Sequence, residues 1–458
     1  MTGAAWSGRE MCWRHAPQDY GAIHFQEDDL YDWAWTPDLQ ATLPSDLPSG
    51  VYGVRLREAD QLYIMPLFVS PSLGQASSAI AYLAPTLTYT AYANHARAPS
   101  DGAYAARQDD WACAVGNPAD HPKYGLSTYH HHRDGSGVGY ASTQRPNLSL
   151  RPGFLDFVEP KGSGARHFAA GCHITTWLAG GEHGFDVLTD QALHAQGVDL
   201  LAPYKVLVTS THPEHYTEAM WRGLQAYVAA GGRLVYLGGN GFYWKVVANA
   251  ANDQLFEIRR SEGGIRLWAT EPGEAFHAFD GSYGGLWRRQ GRAPQRLAGV
   301  GFSAQGPFEG SYYRRTQASF DPKFAWMFDG VQGEVFGNSG FCGGGAAGYE
   351  LDRADVRPGT APDATVVARS EALGPGFVAA PEEWLSHLVT NTGEPQSSLI
   401  RADMTNQTNA AGGAIFSTGS ITFAGALLHN KGRNPVSQLL DNVLRHFVGR
   451  HLADTHHS

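Results

Sequence analysis

Apolar and polar positions alternate most clearly just after Leu47-Pro48-Ser49-Gly50, a turn cluster. There Tyr52, Val54 and Leu56 interleave with Val51, Gly53 and Arg55, the pattern of a half-buried strand. Leu62, Ile64 and Phe68 predict a return strand after Glu58-Ala59-Asp60. This texture predicts a small β-sandwich-like domain over residues 1–75. Ile80–Leu83 predicts a short buried strand. Residues 95–165 lose all periodicity and are rich in Gly, Pro, Ser, Asp and His. A stretch of that length is a functional covering loop or hides an element.

Residues 168–245 are the most regular. Phe168, Cys172 and Trp177–Leu178 line one helix face, and Phe185–Leu188, Lys205–Thr209 and Arg233–Leu237 read as strands. Between the last two, Met220, Leu224 and Val228 recur at helical spacing, with a start expected at Pro213 and a stop at Gly231-Gly232. Strand–helix–strand with an apolar run in each strand predicts a parallel sheet. Ligands in such sheets bind beyond the carboxyl ends of the strands, which places His212 and Asn240 at the functional edge. Asn434-Pro435 opens an amphipathic helix over 434–449, after which a frayed tail is expected. The fold class expected is α/β, with the main domain spanning 76–458.

Charge and composition narrow the partners. Lys+Arg 34 against Asp+Glu 44 gives a formal charge of −10, which lacks the basic footprint of a nucleic-acid binder. Apolar runs reach about eight residues where a membrane helix needs about 20. Neither nucleic acid nor membrane is expected as a partner. No secretory leader pattern is visible at the N-terminus, so the expected location is cytoplasmic. The four cysteines form no CxxC pair, which disfavours a structural zinc site.

Three glycine-framed segments carry candidate chemistry. They are Gly238-Gly239-Asn240-Gly241-Phe242-Tyr243-Trp244, Gly281–Arg288 around Tyr283, and Gly343–Arg353 around Glu350. The first lacks a GxGxxG pattern and a Ser or Cys at the strand end, against a dinucleotide site or a nucleophile elbow. Each segment is also a plausible packed turn. Phenolates and a carboxylate together would suit a hard trivalent iron. Tyr129-His130-His131-His132 reads more readily as a solvated loop than as a metal cluster.

The run Val206–Trp244, with its THPEHY crossing and GGNGFYW end, resembles the large subunit of N,N-dimethylformamidase. So do Gly21–Phe25, Leu47–Leu56, Gly125–Tyr129, Asp134–Val138, Tyr283–Arg288, Ala346–Arg353 and Gly412–Ser417. The resemblance implies a glutamine-amidotransferase-like core and a mononuclear Fe(3+) site of two tyrosinates and one glutamate. Carried over by motif, the metal ligands are expected at Tyr243, Tyr283 and Glu350, with Glu334 a rival for the carboxylate. The implied reaction is hydrolysis of a small N-substituted amide, with His212 or a site carboxylate moving the proton and Asn240 beside it. A small accessory subunit and a homo- or hetero-oligomer are implied too. The family's subunit is longer, so the chain reads as a short form or fragment. The acid expected shortly before the GGAIFS run is missing from Thr405–Ala411. The competing readings are a metal-free ligand-binding module on the same fold and a hydrolase using Thr209 or Ser210.

Overall fold

The computed structural model describes residues 2–3, 6–12, 15–20, 32–59, 61–95, 102–113, 116–261, 268, 270, 274–383 and 396–449. The Gly21–Phe25 segment and the tail after Arg450 therefore lie outside the described residues. The architecture is mixed α/β. Its centre is an eleven-stranded sheet. Five strands run parallel, in spatial order Asp186–Thr189, Ile80–Ala84, Val206–Thr209, Arg233–Tyr236 and Ala414–Ser417. The sheet continues antiparallel through Asp403–Thr408, Thr365–Glu371, Gly301–Arg315 and Val335–Phe336. Ala347–Arg353 and Val378–Ala379 also pair with the long Gly301–Arg315 strand.

The parallel strands are short and apolar on both faces because both faces are covered. Val206, Val208 and Val235 face one buried cluster, under the helices His167–Gly180 and Pro435–Val448. Leu207 and Leu234 face the other, under Glu218–Ala229. Asn434 caps the last helix, its side chain accepting from the Val436 and Ser437 amides, as the Asn-Pro start predicts.

One expectation is corrected. The helix after Val206–Thr209 starts at Glu218, not at Pro213. The Thr217 hydroxyl caps it by accepting from the Met220 amide, while His215–Tyr216 is extended and pairs with Trp244–Asn249. Over residues 1–75, the described residues form one two-stranded hairpin, Gly50–Glu58 with Gln61–Val69. Its base packs on the main core through Val51 and Phe68.

A four-stranded sheet lies next to the carboxyl edge of the parallel strands. Its order is Tyr140–Ser142, Asn252–Ile258, Trp244–Asn249 and His215–Tyr216. The 95–165 region supplies its outer strand and closes over the edge.

Candidate active site

All five parallel strands end at one edge, so the segments after them converge. The chain after Ile80–Ala84 forms the helix Thr86–Ala91 and reaches Tyr92. The chain after Val206–Thr209 reaches His212 and Glu214. Thr88 ties the two together, its hydroxyl accepting from the Glu214 and His215 amides at 3.0 and 3.2 Å. The covering region is pinned to the same place: the Ala91 carbonyl accepts from the Ser127 and Thr128 hydroxyls at 2.9 and 3.0 Å. That anchor lays Tyr129 on Tyr92, with ring centroids 3.9 Å apart.

The Tyr129 hydroxyl donates to Glu214 Oε2 at 2.7 Å. His212 Nε2 lies 3.3 Å from Glu214 Oε2 and 3.3 Å from Glu350 Oε2. His167 packs on Tyr92 at 4.1 Å and lies parallel to His212 at 5.7 Å. Tyr92, Tyr129, Glu214, His212 and Glu350 thus form one cluster, drawn from four stretches of chain. Two guanidiniums flank it. Arg166 sits 5.0 Å over the Tyr92 ring and is held by Asp156. Arg260, wholly buried, sits 4.4 Å over Tyr129 and 4.5 Å over Trp244.

Burial dominates the electrostatics. It pushes the Tyr92 and Tyr129 phenols well above the ordinary value, and the Glu214 carboxylate adds to the effect. Burial also raises Glu214, against hydrogen bonds from Tyr129 and Tyr92. The His212 imidazole is pressed down to about 3, first by burial and then by the Arg166 cation. The neighbouring carboxylates pull the other way, but Glu214 is itself raised and so a weak countercharge. His212 is neutral near pH 7. Neither ring nitrogen makes an aligned hydrogen bond among the described residues.

Asn240 follows the Arg233–Tyr236 strand at the same edge, in a left-handed conformation with φ 55°. Its amide donates to Asp352 Oδ1 at 2.7 Å, and the Tyr236 hydroxyl donates to Asp352 Oδ2 at 2.8 Å. Its buried side-chain oxygen has no protein donor among the described residues. Gly238 and Gly239 are required by close approach. A Cβ on them would lie 2.3 Å from the Thr211 carbonyl oxygen and 2.4 Å from that of Glu350.

The structure brings together three of the five expected site residues: His212, Glu350 and, on the adjoining turn, Asn240. The contacts described for Tyr243 and Tyr283 are with other residues. The Tyr243 hydroxyl donates to Glu382 at 2.6 Å, and its ring packs on Trp244 and Phe302. Tyr283 packs on Phe276, while its carbonyl accepts from Lys245. Glu334 is a surface residue 3.8 Å from Arg314. Tyr92, Tyr129 and Glu214 bring two phenols and one carboxylate into mutual contact. As anions these three would carry three negative charges in a buried space, which fits a hard trivalent cation. The signal for Tyr92 was the edge rule itself, applied to the Ile80–Ala84 strand. Tyr129 ends the Gly125–Tyr129 run but sits in aperiodic sequence. His167 and Arg166 carried no signal.

The family model described as N,N-dimethylformamidase beta subunit-like, C-terminal, matches residues 1–434. The chain belongs to that family. The N,N-dimethylformamidase beta subunit of Paracoccus aminophilus is 37% identical over 461 aligned residues, covering 98% of this chain and 58% of that one. The beta subunit from an Alcaligenes species is 37% identical over 457, with the same two coverages. The chain thus spans well under two thirds of these dimethylformamidase subunits. Among solved structures, a ThuA-like protein from Bacteroides uniformis aligns at 14% identity and TM-score 0.31, covering 60% of this chain and 81% of that one. Among the described residues no helix is long and apolar enough to cross a membrane.

Proposed function

We propose that this chain hydrolyses the C–N bond of a small N-substituted amide to a carboxylate and an amine, using a ferric ion held by Tyr92, Tyr129 and Glu214. The observation that carries the reading is the convergence of these three oxygen donors, beside His212 and Glu350, at the ligand-binding edge of the sheet. The names of its relatives support the amide as substrate class. They also support action within an assembly of more than one kind of subunit. The short parallel strands with helices on both faces are in keeping with a glutamine-amidotransferase-like core.

When bound, the ion would polarise the amide carbonyl and lower the pKa of a bound water. The remaining work falls to the chain. Water adds to the carbonyl carbon, and its proton must be taken up. A histidine pressed down to about 3 is a poor base near neutrality. Glu350 therefore takes the proton, with His212 Nε2 3.3 Å from its Oε2. Glu350 returns the proton to the amine nitrogen as the C–N bond breaks. Asn240 offers its buried side-chain amide to the substrate. Tyr92 and the 125–129 segment exclude bulk water.

The test is elemental analysis and visible absorbance of protein produced with iron available, followed by assay of amine release. The expected result is one coloured iron per chain and activity lost on chelation. Colourless, iron-free protein, or activity indifferent to chelator, would overturn the reading.

A further inference from the structure

One buried acid ties several of the site's stretches of chain together. Asp352 is fully buried, and no cation pairs with it among the described residues. Keeping a carboxyl there is costly unless its oxygens are used. Both are: one accepts from the Asn240 amide at 2.7 Å and the other from the Tyr236 hydroxyl at 2.8 Å. The same hydroxyl accepts from the Gly241 amide at 2.8 Å. Tyr236 and Asp352 thus close a ring of hydrogen bonds on the 239–242 turn.

That turn needs a clamp. Asn240 and Phe242 both have left-handed backbones with φ 55°, and a bulky residue such as Phe holds one only where its surroundings impose it. The turn is also the bed for the neighbouring stretch. The Gly239 amide donates to the Thr211 carbonyl at 3.1 Å, and the Phe242 amide to that of Pro213 at 2.8 Å. The Tyr243 and Trp244 amides donate to the Glu214 carbonyl at 3.0 and 2.9 Å. On its other side, Gly239 lies against the carbonyl of Glu350, which shares the Ala347–Arg353 strand with Asp352. The turn that carries Asn240 is therefore wedged between the stretches that carry His212, Glu214 and Glu350, and Asp352 locks its shape. The Asn240 side-chain oxygen, buried and without a protein donor among the described residues, is not fixed by any hydrogen bond of its own. Its place depends on the backbone beneath it.

Resting on the amidase reading above, we propose that Asp352 is a positioning residue of this site: without touching substrate, it acts through Tyr236 and the Asn240 amide to hold the Asn240 side chain where the substrate meets it.

The test is a double-mutant cycle in kcat/KM for N,N-dimethylformamide at full iron occupancy, beside crystal structures of the variants. Asn240→Gly keeps the left-handed backbone and deletes the side chain. Asp352→Ala deletes both acceptors. A misplacement near 1 Å costs about 100-fold, so Asp352→Ala should lower kcat/KM by about that factor on its own. In the Asn240→Gly background it should cost less than about threefold more, because the group it positions is gone. Asp352→Asn keeps one acceptor and should stay within about tenfold of wild type. Tyr236→Phe opens the ring of bonds from the other side without emptying the core; it should behave as Asp352→Ala does, and it replaces that variant in the cycle if Asp352→Ala fails to fold. In the crystal, the turn should leave its left-handed conformation in Asp352→Ala and keep it in Asp352→Asn. Losses that multiply in the double variant, or a turn unmoved in both Asp352→Ala and Tyr236→Phe, overturn the proposal. A displaced turn in the variants, with no amine released by iron-loaded wild type, would instead sink the hydrolase reading and leave the clamp standing.

Discussion

Replacing Tyr129 with Phe removes one oxygen and leaves the ring in its stack on Tyr92 and under Arg260. That oxygen donates to Glu214 Oε2 at 2.7 Å. Two losses follow. In metal-free protein the buried Glu214 loses a donor, and a hydrogen bond to a charged group is worth about 1.5–3 kcal/mol. In loaded protein the donor set falls from three oxygens to two. Altering only the outer partner of a ligand costs ~10–100-fold in metal affinity, so losing a ligand should cost at least about 100-fold. That is about 2.7 kcal/mol. Tyr243→Phe is the matched control. It too deletes a buried phenol oxygen with a short bond to a carboxylate, Glu382 at 2.6 Å. Its stability loss should be similar, and its iron content should not change. The assay is iron per chain after dialysis against graded chelator, read with the visible band and the unfolding midpoint. Iron lost from Tyr243→Phe but kept by Tyr129→Phe would refute the geometric assignment. Iron lost equally from both would show that general destabilisation, and not ligation, controls metal content.

His212→Ala should lower turnover at least about tenfold while iron stays bound. The wild-type rate profile should show no inflection near the ordinary histidine value of about 6.5, because burial keeps the ring neutral there. A full rate in the variant would remove His212 from the mechanism. Burial raises Asp352 from 3.8 to about 7. The folded protein then keeps a proton that the unfolded chain releases, so stability falls as pH rises from about 4 to 7, by up to about 4 kcal/mol, and is level above that. Asp352→Asn mimics the protonated acid and should flatten that slope in denaturation midpoints; parallel curves would refute it. Gly239→Ala should destabilise by about 1–3 kcal/mol, because the neighbours it strikes are backbone atoms of Glu350 and Ile421. An unchanged melting temperature would contradict that packing.

The parallel core was legible because its strands are short, unbroken apolar runs separated by a periodic helix. The edge rule then placed His212 and Asn240 without any motif. The proposed donor set was harder to read. The glycine frames around Tyr243 and Tyr283 drew attention, yet those glycines serve backbone packing, as Gly238, Gly239 and Gly284 show by the atoms a Cβ would strike. Tyr92 lies beyond a strand end and the short helix Thr86–Ala91, among Thr and Ala residues with no distinctive spacing. Tyr129 depends on two hydroxyls reaching the Ala91 carbonyl, a contact across 36 and 37 positions that no local pattern encodes. The start at Pro213 failed for a different reason. Proline suits a helix start but equally suits an extended edge, and Thr217 held the stronger cap.

The Ala414–Ser417 strand lies between Arg233–Tyr236 and Asp403–Thr408, joining the parallel and antiparallel halves of the sheet. It is synthesised well after its neighbour Arg233–Tyr236. Until it emerges, Arg233–Tyr236 is an apolar strand with one bare edge, the kind of template on which nascent chains aggregate. Folding must therefore insert a later-made strand between Arg233–Tyr236 and Asp403–Thr408. Chaperone demand and inclusion-body formation should respond to substitutions at Ile415 and Phe416 more than to those in the covering region.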